Sequence, residues 1–107
     1  MNAYIIPGID RDPSSSIFKQ VCRVYYKTPQ EVMKNRKTRK QPFVTIRQLT
    51  MAVMRRETPK SFAEIGEFFG LNHATAIHAV KTISNLRETD KRFRKLTEPL
   101  FDETIRI

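Results

Sequence analysis

The 107-residue sequence holds one cysteine, three glycines and no tryptophan. A lone Cys22 excludes an intrachain disulfide, and with two histidines it leaves too few soft ligands for a structural zinc site, so it reads as a small buried hydrophobe. Gly8, Gly66 and Gly70 are too scattered to form a phosphate-cradling loop, and no Cys–His or Ser–His–Asp set is suggested. The chain is therefore expected to be no enzyme and to use no cofactor, metal or small-molecule substrate. No apolar run approaches the roughly 20 residues that span a bilayer, nor does any stretch read as a secretory leader. A soluble protein of the cytoplasm, without a membrane partner, is expected. Acidic residues are also scarce: eleven Asp and Glu face twenty Lys and Arg, giving a formal net charge of +9 and a pI near 10.1. Such a balance attracts polyanions, nucleic acid first among them.

What the chain does contain is helical punctuation. Residues 1–13, with Pro7, Gly8 and Pro13, show no sustained period and read as an irregular lead-in; residues 14–107 suffice for one domain with one core. After the cap candidates Ser14, Ser15 and Ser16, apolar residues at Ile17, Phe18, Val21, Cys22, Val24 and Tyr25 predict a helix over about 16–26. Thr28-Pro29-Gln30-Glu31 places a capping Thr three residues before Glu with Pro at the first helical position, which starts a short second helix. Residues 34–40 carry five cations and no apolar anchor, and so read as a solvated loop. Phe43, Ile46, Leu49, Val53 and Met54 predict a third helix over about 43–56, stopped at Thr58-Pro59. Ser61-Phe62-Ala63-Glu64 is a second capping box, opening a short helix that Gly70 closes in the left-handed conformation. Asn72 caps a fifth helix reaching about residue 87. A sixth begins near Thr89 or Asp90, carries Phe93 and Leu96, and is expected to end or kink at Pro99. With no strand-like alternation, the class is all-α with five to six helices.

Residues 61–86 thus hold two helices joined by a short turn, a helix-turn-helix in which the second helix can enter the major groove of double-stranded DNA by its N-terminal end. On a helical wheel Ala76, Val80 and Ile83 cluster on one side, while Ala74, His78, Lys81, Thr82 and Asn85 occupy the other. Asn72, His73, Ala74 and Thr75 form the leading tip, where free backbone N–H groups favour phosphate. His73 falls nearer the apolar side of the wheel, so base or phosphate contact competes with a place at the core edge. Thr75 reads as a phosphate or thymine-methyl contact, or as support for the Asn72 cap. His78 lies five residues from His73, which is the wrong spacing for two metal ligands on one helix. Arg36, Lys37, Arg39 and Lys40 form a second contact element for phosphates or a narrow minor groove. Lys34, Arg47, Lys60 and Lys81 are candidate phosphate neutralisers.

Phe18-Lys19-Gln20-Val21-Cys22-Arg23-Val24-Tyr25-Tyr26, the basic cluster at 34–39, Arg47-Gln48, Ala63-Glu64-Ile65-Gly66 and His73-Ala74-Thr75-Ala76-Ile77-His78-Ala79-Val80 occur in an order that resembles the C-terminal domain of the bacterial replication initiator DnaA, over about residues 17–101. The resemblance implies a Trp-repressor-like helical fold, with the signature helix in the major groove through His73 and Thr75 and Arg39 of the basic loop in the adjacent minor groove. It further implies a nucleoid-associated, sequence-preferring role in replication initiation or its regulation, with replication proteins as further partners. A chain of this length has no room for an initiator's ATPase portion, so a stand-alone DnaA-like binding protein or a fragment of something larger is expected. The alternative is a protein-interaction adaptor or transcriptional regulator that kept the fold without initiator-box recognition.

Overall fold

Six stretches with apolar side chains at three- and four-residue spacing become six helices in the computed structural model, which describes residues 12–101. They are α1 (Ser14–Val24), α2 (Pro29–Lys34), α3 (Phe43–Glu57), α4 (Phe62–Glu67), α5 (His73–Thr89) and α6 (Lys91–Phe101). The described residues contain no strand. The expected irregular lead-in falls mostly on residues 1–11, outside the described ones.

α1 begins two residues earlier than its spacing suggests. None of the three serines caps it: Pro13 occupies the N-cap without a side-chain bond, and the Asp12 carboxylate accepts the Ser14 backbone N–H at 3.0 Å. At the other end Tyr26 turns left-handed at φ 56°. Its N–H donates to the Arg23 carbonyl and that of Lys27 to the Cys22 carbonyl, the paired bonds of a Schellman cap. Ile17, Phe18, Val21 and Cys22 are buried, and burial pushes the Cys22 thiol up to about 11, so it stays protonated and packs as a hydrophobe.

α3 is the central helix. Ile46, Leu49, Met51, Ala52, Val53 and Met54 are all buried, and the buried Thr50 hydroxyl is satisfied by donating to the Ile46 carbonyl at 2.8 Å. α1 reaches the end of α4 through three mutually edge-on rings, Phe18, Phe68 and Phe69, with centroids 5.1 to 5.4 Å apart. Edge-on aromatic pairs add about 0.5–1.5 kcal/mol beyond their area. α5 packs on α3 and α4 through Ala76, Ala79 and Ile83, whose small first members let the backbones approach closely. Val80, expected inside with them, is half-buried at the edge.

α6 departs most from expectation. Asp90 accepts the Phe93 N–H at 3.0 Å and starts the helix as foreseen, but the helix runs through Pro99 to Phe101. Pro99 and Lys95 are exposed, so the carbonyl that loses its N–H partner faces water rather than core. The inward stripe is Phe93, Thr97 and Leu100, whereas Leu96 is 47% exposed. Burying Thr97 in place of a leucine is feasible because its hydroxyl donates to the Phe93 carbonyl at 2.8 Å and accepts from Arg87 Nε at 3.3 Å.

Candidate nucleic-acid interface

Ser61 and Glu64 fix the start of α4 reciprocally. The Ser61 hydroxyl accepts the Glu64 N–H at 3.1 Å, and the Glu64 carboxylate accepts the Ser61 N–H at 2.8 Å. That bond to the Ser61 backbone holds the Glu64 carboxyl below its usual range. α4 ends in a second Schellman arrangement. Gly70, at φ 70°, donates to the Glu67 carbonyl, and Leu71 to that of Gly66. A left-handed residue here reverses the chain at little steric cost only if it lacks a Cβ.

Gly66 is required for a different reason. A Cβ at this position would lie 2.5 Å from the Asn72 carbonyl oxygen and 2.9 Å from that of Leu71. The first helix therefore rests directly on the backbone of the turn, and this contact sets where α5 starts.

Asn72 caps α5, its side-chain oxygen accepting the Thr75 N–H at 2.9 Å and the Thr75 hydroxyl at 3.0 Å. The cap-supporting reading of Thr75 is the one seen here: its hydroxyl proton goes to Asn72 and in this arrangement is not free to donate to a phosphate. His73, Ala74, His78 and Lys81 are exposed, so His73 sits outside the core despite its place on the wheel. The Thr82 hydroxyl lies 3.4 Å from His78 Nε2 one turn further on.

The basic loop is more ordered than a charge run suggests. Arg47 of α3 reaches back across it, donating to the Asn35 carbonyl at 3.2 Å and the Thr38 carbonyl at 2.8 Å. Partial burial pushes the Arg47 guanidinium's pKa down, yet an arginine remains charged at neutral pH. Arg47, expected as a phosphate neutraliser, thus braces the loop that carries the others. Lys34, Arg36, Lys37, Arg39 and Lys40 are exposed. Arg36 lies against the helix-turn-helix: its Nε is 3.5 Å from where a Gly70 Cβ would stand. Lys60 sits apart, 3.1 Å from the Asp12 carboxylate, and is partly neutralised within the protein.

Sequence reasoning found the tip, the loop and both caps. It missed the brace from Arg47, the seat of the turn on Gly66 and the meeting of Arg36 with Gly70. Each of these joins residues far apart in sequence or depends on the packing between elements, which local periodicity does not report. No group of three or more His, Cys, Asp or Glu among the described residues is placed to hold a metal, and no described helix is long and apolar enough to cross a membrane.

A six-helix domain whose fourth and fifth helices meet at a glycine-closed turn, with the second capped and exposed at its tip, is a helix-turn-helix module. The family model described as the bacterial DnaA protein helix-turn-helix matches residues 14–83, and the chain belongs to that family. It is similar to the chromosomal replication initiator protein DnaA of Flavobacterium psychrophilum, 38% identical over 96 residues, covering 89% of this chain and 20% of the relative. The same-named protein of Rhizobium johnstonii is 40% identical over 81 residues, 75% of this chain and 16% of the relative. That of Ehrlichia ruminantium is 49% identical over 49 residues, 45% and 11% respectively. The chain thus spans a fifth or less of the length of these relatives. No solved structure matches it.

Proposed function

We propose that this domain binds double-stranded DNA with a sequence preference and serves chromosomal replication initiation or its regulation. The tip of α5 enters the major groove, with His73, Ala74 and Thr75 nearest the base edges and Asn72 holding the terminus open toward phosphate. His78 and Lys81 continue along the groove. The basic loop lies over the neighbouring phosphates and minor groove through Arg36, Lys37, Arg39 and Lys40. The observation that carries this reading is that the Arg36 side chain comes to the turn, its Nε 3.5 Å from where a Gly70 Cβ would stand, two residues before the Asn72 that caps α5. Membership of the DnaA helix-turn-helix family and the name of its relatives support the replication role.

The resemblance suggests Arg39 for the minor groove, and the proximity of Arg36 to the turn supports a second contact, so the proposal includes both. Titration of labelled duplexes is expected to show a loss of about 1–3 kcal/mol for Arg36→Ala, exceeding that for Arg39→Ala. Thr75→Ala is expected to blur preference among duplexes recovered from a random library more than it weakens binding to bulk DNA. Failure of the protein to retain any duplex at low salt would overturn the proposal.

A further inference from the structure

On another side of the molecule, a groove of about 380 Å³ opens between the end of α3, the second half of α5 and α6. Ala52 and Ile83 are buried beneath it and Val80 is half-buried at its side, so the floor is apolar. Four arginines, Arg55, Arg56, Arg87 and Arg94, line it, with Glu88 the acidic residue among its lining; the Arg55 guanidinium lies over the Phe62 ring and donates to the Lys60 carbonyl, and Arg56 pairs with Glu57. Arg87 is held in place rather than waving in solvent: its guanidinium carbon stacks 4.1 Å from the Phe101 ring centroid, and its Nε donates to Thr97. That leaves its two terminal nitrogens, among the described residues, without a bonded partner. Neither Arg87 nor Arg94 has a described carboxylate within ion-pair distance. Burial first, then the like charges of Arg94 and Arg56, push the Arg87 pKa down, against a smaller opposing pull from the Glu98 carboxylate.

We propose that this groove docks an acidic segment of a partner protein, with an apolar side chain on the Ala52, Val80 and Ile83 floor and flanking carboxylates bridged by Arg87 and Arg94. Guanidinium forks match carboxylates bidentately, and the aromatic stack pre-orients one of them. The floor argues against duplex DNA, whose outer surface is a line of phosphates and whose base faces are already stacked inside, so that it has little apolar surface to bury in a closed groove. Position decides the same way. At about 100° per residue the groove side of α5 lies roughly 130° round the helix from the stripe of Ala74, His78 and Lys81, and at 1.5 Å rise Arg87 stands about 20 Å behind the tip. Protein and duplex can therefore be held together.

The test uses a labelled peptide with two aspartates on each side of one leucine, a twin with asparagines in place of the aspartates, and the isotopically labelled protein. Expected are saturable binding of the acidic peptide and amide shifts centred on Ser84, Arg87 and Arg94. The Asn twin is expected not to bind. Arg94→Glu, an exposed change on α6 whose fold is checked by circular dichroism, is expected to weaken the peptide by about tenfold or more, equivalent to about 1.4 kcal/mol, while duplex affinity changes far less. The proposal is overturned if the shifts gather on residues 72–78 and the basic loop, if the twin binds equally, or if Arg94→Glu weakens duplex as much as peptide. The last outcome would make the groove part of the nucleic-acid footprint.

Discussion

Tyr26 holds φ at 56° with its side chain 95% exposed, a left-handed position occupied by a residue with a Cβ. The Schellman cap requires this conformation, which costs an L-residue about 1–2 kcal/mol, part of it recovered because a tyrosine loses less backbone entropy than a glycine. Tyr26→Gly is therefore expected to raise stability by about 0.5–1 kcal/mol, read as a higher urea midpoint with an unchanged slope. An unchanged or lower midpoint would show that the turn carries no such cost. Gly66 is the opposite case, since any side chain meets the Asn72 and Leu71 carbonyls. Gly66→Ala is expected to cost about 1–3 kcal/mol and to weaken duplex binding beyond what the fraction unfolded explains, because relief of the clash must move the start of α5. Full affinity in a destabilised Gly66→Ala protein would sever that link. The sequence marked Gly70 through its place after an apolar run, but nothing local marked Gly66 as a contact, since the carbonyls it meets lie across the turn.

At the level of elements, the basic loop is tied to α3, the helix on which α4 and α5 pack. Arg47 donates to two loop carbonyls, and charged hydrogen bonds of this kind contribute about 1.5–3 kcal/mol when partly buried. Arg47→Lys keeps the charge but cannot span both carbonyls with a planar fork. The expected result is faster amide exchange at Asn35 and Thr38 and a several-fold weaker duplex complex, with helix content unchanged. Retention of both exchange protection and affinity would show that the loop holds its own shape. Helix types and order were legible because capping boxes at Thr28 and Ser61, the Asn72 cap and three- or four-residue spacing are local signals. In α6 an end or a kink was expected at Pro99 and the helix continues through that exposed residue, while the burial of Thr97 was not foreseen, because the partners of its hydroxyl lie on α5 as well as α6. Both outcomes depended on which face α5 covers.

For the whole molecule, the formal net charge of +9 includes two concentrations of cations on separate surfaces. Five exposed cations precede or occupy the loop beside the turn, and four arginines surround the groove across α3, α5 and α6. If four to six phosphates are neutralised, the logarithm of duplex affinity should fall with a slope of about −4 to −5 against the logarithm of salt, a loss of about 10²–10³-fold between 50 and 200 mM. A flat salt dependence would mean that the loop does not touch phosphate. The helices, their caps and the polar stripe on α5 follow from the order of residues alone, because these are decided within a few positions along the chain. What brings Arg36 to Gly70, turns Arg47 inward and gathers Arg87 with Arg94 is the packing of α5 against α3 and α4 and of α6 on α5, which arranges side chains separated by tens of residues and leaves no periodic trace in the sequence.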